Sequence, residues 1–116
     1  MPLILLVLAG SLMAADDYEA YLLERGEWVF ERRCMVCHGN EGRGLVGPNL
    51  TDNYWLYGPD KDTLIDIISK GREDKGMPAW DKELSRGELG AVLRYVMSLR
   101  GRDLPGKEPQ GELVGE

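Results

Sequence analysis

The chain has 116 residues, 43% of them hydrophobic and 29% charged, and a formal net charge of −6. That length accommodates one domain with a modest core. The acidic balance argues against nucleic acid as a partner, because such binding calls for a basic surface.

Residues 1–15 are apolar or small, with no charged side chain before Asp16. They read as the core of a secretory signal ending in small residues, with cleavage after Ala15. The usual basic segment is missing, and Met13 is large for its place. An uncleaved anchor is less favoured: as a helix, residues 2–15 would reach roughly 21 Å, short of a ~30 Å hydrocarbon core.

Residues 16–33 have helical periodicity, with Leu22, Gly26, Val29, Phe30 and Arg33 on one stripe. Asp16, Asp17 and Glu19 sit in the first turn, where the helix dipole favours them. Gly26 inside a helix costs about 1 kcal/mol against alanine, so it calls for a packing reason such as a close helix crossing. Residues 39–59 are dense in turn formers and read as a loop that wraps something. A second helix is expected over residues 60–70, with Leu64, Ile67 and Ile68 on its apolar side. Residues 72–80 read as loop.

The last helix is the best specified. Ser85 and Glu88 form a capping box, Leu84 and Leu89 a hydrophobic staple, and Leu89, Val92, Leu93, Val96 and Leu99 the buried stripe. Gly101 stops it. Residues 102–116 show no core pattern and read as a disordered tail. The expected layout is a signal over 1–15, one domain over 16–101, and that tail.

The chemistry lies just after the first helix, in Cys34-Met35-Val36-Cys37-His38. The sequence holds two cysteines and one histidine, and this pentapeptide uses all three. C-x-x-C-H is the attachment signature of a c-type haem: two thiols to add across two vinyl groups, and an imidazole held against the iron. A thioredoxin-like pair would need a βαβ pattern, which is missing here. A zinc site would need four ligands, and three are available. A Cys34–Cys37 disulfide would leave His38 unexplained.

A second histidine ligand cannot come from this chain, and methionine is the other common axial ligand of cytochromes c. Of five methionines, Met1 and Met13 lie in the signal, Met35 in the attachment loop, and Met97 on the last helix as core filler. Met77 remains, in Gly76-Met77-Pro78-Ala79-Trp80, a loop able to cross the far haem face.

With these residues in view, the chain resembles a class I cytochrome c over about residues 22–99. The attachment motif carries the likeness, as do Gly26 and Phe30 before it, Gly47-Pro48-Asn49-Leu50, and the Met77 loop. The resemblance implies an all-α fold of about three main helices around one covalent haem c. It implies that the Pro48 carbonyl accepts the Nδ1 proton of His38, that His38 and Met77 ligate the iron, and that Gly26 and Phe30 meet Leu93, Tyr95 and Val96. Within the family, the segment GPNLTDNYWLYG with Gly71-Arg72 and Met77-Pro78-Ala79-Trp80 is most similar to the haem domains of the cytochrome c subunit of cbb-type haem–copper oxidases. Tyr54, Trp55, Tyr57, Trp80 and Arg72 become candidates for propionate or haem-edge contacts.

Those oxidase subunits carry a transmembrane helix and two haem motifs, and this sequence carries neither a span of that length nor a second motif. The expectation is therefore a monomeric periplasmic carrier rather than an enzyme. It would pass single electrons between membrane respiratory complexes (an oxidase, a bc-type complex or a dehydrogenase) and take no small-molecule substrate. The alternative is a haem-bearing electron-entry subunit of a terminal oxidase or reductase. Residues 61–86 hold six basic and six acidic side chains, so no charged docking face is evident around Met77.

Overall fold

The computed structural model describes residues 14–114. The expected signal segment lies outside the described residues except for Ala14 and Ala15, which stand at the start of the first helix.

Helix α1 spans Ala15–Arg33, with Asp16 and Asp17 in its first turn and Arg32 and Arg33 in its last, each complementing the helix dipole. It buries Gly26, Val29 and Phe30. Cys34 caps it by donating its N–H to the Phe30 carbonyl at 2.8 Å, and at once starts a one-turn helix α2, Met35–His38. Helix α3 spans Lys61–Lys70. Its N-cap is Asp60, whose carboxylate accepts from the Thr63 hydroxyl at 2.8 Å and from the Thr63 N–H at 3.1 Å, which together hold that carboxyl below its ordinary range. Helix α4 spans Arg86–Leu99, and the capping box is present in full: the Ser85 N–H donates to Glu88 at 2.9 Å and the Glu88 N–H donates to the Ser85 hydroxyl at 3.1 Å. Leu84 and Leu89 are both buried in the core, as a staple requires.

The main packing is α1 against α4, and it centres on Gly26. A Cβ built there would run into the Ala91 carbonyl group and come within 2.9 Å of Tyr95 Cβ. The close crossing is thus real: Gly26 faces the Ala91 backbone and the expected Tyr95. Phe30 and Tyr95 follow, with ring centroids 5.2 Å apart. Around them Val29, Val92, Val96 and Leu99 close the core, joined by Leu64 and Ile68 from α3.

Residues 102–114 correct the expectation of a disordered tail, because they dock on the domain. Thr51, fully buried, accepts at its carbonyl from Gly101 N–H at 2.9 Å and Asp103 N–H at 2.8 Å, and at its hydroxyl from Leu104 N–H at 2.9 Å. The Asn49 amide donates to the carbonyls of Leu104 and Lys107 at 3.4 and 3.3 Å. Lys107 N–H donates to the Arg43 carbonyl at 2.9 Å. Further on, strand β2 (Glu112–Leu113) pairs antiparallel with strand β1 (Tyr54–Trp55), placing Trp55 opposite Glu112. The segment is held mainly by backbone hydrogen bonds, and these leave no apolar period in a sequence. Gly101 has the expected positive φ of 87°, but its N–H serves Thr51, so the end of α4 is tied to the loop.

Candidate functional site

The attachment motif is wound into a single turn: the Cys34 carbonyl accepts from Cys37 N–H at 3.1 Å and from His38 N–H at 2.9 Å. Residues three apart on a helix share a face, so the turn brings both thiols to one side with His38 beside them. Both cysteines are free and half-buried. Burial, and next the neighbouring Cys37, push the Cys34 thiol up to about 11, so it is held protonated.

His38 Nδ1 lies 3.0 Å from the Pro48 carbonyl. A carbonyl can only accept, so Nδ1 carries the proton and Nε2 is left with its lone pair free. The ring is further seated by Gly47, where a Cβ would come within 2.9 Å of His38 Cε1 and 3.0 Å of Nδ1. Burial holds the imidazole below its ordinary range, against the upward pull of the Pro48 carbonyl, and the Lys107 charge adds to the lowering. A neutral imidazole fixed in one tautomer is the form that binds a metal.

Met77 is positioned by its own loop. Arg72 N–H donates to the Met77 carbonyl at 2.9 Å, and Met77 N–H returns the bond to Arg72 at 3.0 Å. This closes residues 72–77 around a 3-10 turn, Glu73–Lys75, with Gly76 in the left-handed region at φ 90°. Gly71 lies directly beneath: a Cβ there would sit 2.6 Å from the Met77 carbonyl oxygen and 2.6 Å from the Pro78 carbonyl carbon.

Cys34, Cys37, His38, Pro48 and Met77 all line one cleft of about 460 Å³. Phe30, Leu50, Leu64, Ile68, Val92 and Val96 give it apolar walls from α1, α3, α4 and the loop between. Tyr54, Trp55, Tyr57, Arg72 and Trp80, read from the sequence as haem-edge candidates, line it as well. Of the three methionines among the described residues, Met77 alone lines the cleft; Met35 and Met97 pack against the core. Gln110 also lines it. No pattern in the sequence points to Gln110, since it lies in the segment read as disordered. The donor set fits a covalently held haem: two thiols on one helical face, an imidazole with a free Nε2, a thioether in the same apolar cleft, and a buried Trp55 indole N–H without a partner.

The family model described as cytochrome c oxidase, cbb3-type, subunit III matches residues 22–96. The chain belongs to this family. It is 42% identical over 94 residues to the cbb3-type cytochrome c oxidase subunit FixP of Bradyrhizobium diazoefficiens, covering 78% of this chain and 32% of that protein. It is 40% identical over 105 residues to the corresponding subunit CcoP of Rhodobacter capsulatus, covering 82% and 34%. The chain thus spans about a third of the length of these relatives. Among solved structures it is similar to cytochrome cL of Hyphomicrobium denitrificans, with a TM-score of 0.61 and 31% identity over 67% of this chain and 47% of that one. It is also similar to cytochrome cL of Methylophaga aminisulfidivorans, with a TM-score of 0.64 over 78% and 71%; at 23% identity that likeness concerns the fold alone.

The fold is that of a class I cytochrome c, and the cofactor of this cbb3-family haem domain is a covalently bound haem c. The relatives it matches are named as subunits of cbb3-type cytochrome c oxidase. These relatives do not support a free-standing carrier; they support the alternative of a haem-bearing subunit. A missing second motif does not weigh against that alternative, because the chain spans only a third of the relatives' length. Among the described residues no helix is long and apolar enough to cross a membrane.

Proposed function

We propose that residues 16–101, closed by the segment that follows them, form a periplasmic haem domain that feeds electrons to a cbb3-type cytochrome c oxidase as part of that assembly. In this reading Cys34 and Cys37 would hold the cofactor through thioethers, and His38 Nε2 and the Met77 sulfur would ligate its iron. When bound, the haem supplies a reversible one-electron change at iron. The protein's part is to set its conditions. Pro48 fixes the His38 ring and makes it a better donor. Met77, a soft ligand, and the apolar walls both favour the less charged ferrous state, which raises the potential. Two protein ligands would leave no place at the iron for a substrate, in keeping with electron transfer rather than catalysis in this domain.

The observation that carries the proposal is the meeting in one apolar cleft of Met77 and of His38 with its Nδ1 committed to Pro48. Its relatives' names supply the oxidase. Two measurements test it. A haem stain after denaturing electrophoresis should colour the protein band; loss of colour into acidified organic solvent would rule out the thioethers. Affinity purification of the full chain from detergent-solubilised membranes of its source should bring an oxidase with it. A chain recovered alone and fully in the soluble fraction would refute membership of the assembly.

A further inference from the structure

Two buried polar atoms in the cleft have no partner: Trp55 Nε1 and Gln110 Oε1. Buried polar side-chain atoms in folded proteins are nearly always satisfied, so each needs an explanation. The indole N–H is a donor only, whereas a glutamine amide can turn end for end and present its NH₂ where Oε1 now lies. One acceptor within reach of both would answer the two atoms, and a carboxylate is the group with enough lone pairs for two donors. A haem carries two, its propionates.

We propose that Gln110 is a haem-binding residue, delivered by the C-terminal segment to share a propionate with Trp55. The inference rests on the haem reading of the cleft. The placement of Gln110 is built rather than incidental. On one side the segment is locked by Asn49 and Thr51 through Leu104 and Lys107. On the other, β2 pairs with β1, with Trp55 opposite Glu112, two residues beyond Gln110. Gly111 between them has φ 92° and lies so close to the Trp55 carbonyl that no side chain would fit there. The backbone around Gln110 is therefore pinned to the backbone of Trp55. The residues that look most like a sequence motif, Asn49 and Thr51, act here as a clamp for the segment that brings Gln110 in.

The test uses the full, haem-loaded chain with Gln110→Leu and the isosteric Gln110→Glu. Haem content per chain, the propionate bending band in the resonance Raman spectrum, and the midpoint potential are measured. Gln110→Leu should keep a full complement of haem, shift the propionate band, and lower the potential, because a propionate that loses a donor presents more of its negative charge to the iron. Gln110→Glu fills the same volume with a second carboxylate and should lower the potential further. A haem-loaded Gln110→Leu with the parent's band and potential would overturn this assignment alone. A parent protein without covalent haem would overturn the reading of the cleft itself.

Discussion

Gly71 and Gly76 flank the Met77 loop and make a matched pair for substitution by alanine. Both have positive φ, 71° and 90°, but Gly76, with ψ 5°, is in the left-handed helical region, where alanine costs about 1–2 kcal/mol, while Gly71, with ψ −177°, is in a region essentially confined to glycine, where alanine costs about 1–3 kcal/mol. They differ in surroundings as well. Nothing lies within 4 Å of a Cβ at Gly76, whereas one at Gly71 would sit 2.6 Å from the Met77 carbonyl oxygen and 2.7 Å from the Ala79 nitrogen. Carbon contacts settle at ~3.5–4.0 Å, so the Met77–Ala79 backbone must retreat by roughly 1 Å, and overpacking of that kind adds ~1–3 kcal/mol. Gly76→Ala should therefore cost ~1–2 kcal/mol and Gly71→Ala roughly 2–6 kcal/mol. At ~4–8 °C per kcal/mol for a domain of this size, the two melting temperatures should be clearly separated. The functional readout is sharper. On the proposed ligation by Met77, a backbone shift of ~1 Å there should displace the sulfur from the iron, so the oxidised Gly71→Ala protein should lose the weak near-infrared band of a methionine–iron bond while Gly76→Ala keeps it. A Gly71→Ala protein that retains the band and melts with Gly76→Ala would show that Gly71 does not support the Met77 loop.

Gly26→Val pushes a branched side chain against the Ala91 carbonyl and Tyr95 Cβ and should cost at least ~1–3 kcal/mol. The melting temperature should fall with the axial-ligand spectrum intact, and an unchanged melt would mean the helices are free to separate there. Met77→Ala should give a folded, red protein with a lower potential and no near-infrared methionine band. The same variant should bind carbon monoxide quickly when reduced, while the parent should not; parent binding would show an open axial site.

The sequence was most informative where covalent chemistry or helical period leaves a mark. The C-x-x-C-H spacing pointed to the cofactor, and the Ser85–Glu88 box and the stripe around Val92 located α4. Gly26 called for a close crossing, and the structure supplies one, against the Ala91 backbone and Tyr95. Met77 came from elimination among five methionines, and the His38–Pro48 bond from the family likeness. What stayed hidden was the C-terminal segment. Residues 102–114 are rich in glycine, proline and charge, and their anchors are main-chain groups answering Asn49, Thr51 and Arg43. No propensity records a partner fifty residues away. Strands β1 and β2, two residues each, lie below any length at which alternation could be seen.

That docked segment also sets an order of events. A chain is made from its N-terminus, so Cys34, Cys37 and His38 emerge before the residues that close the cleft beside Trp55. Bonds such as Asn49 to Lys107 close a loop of more than fifty residues, and the ordering entropy for such a closure is met late, after local helices have formed. The cleft therefore stands open on the Trp55 side until that late closure, a window in which a large flat cofactor can enter and meet the thiols. In the finished protein the same edge should be the first to loosen. Hydrogen exchange should release the amides of Leu104, Lys107 and Val114 ahead of those buried between α1 and α4; slower exchange there would mean the segment is part of the folding core and closes early.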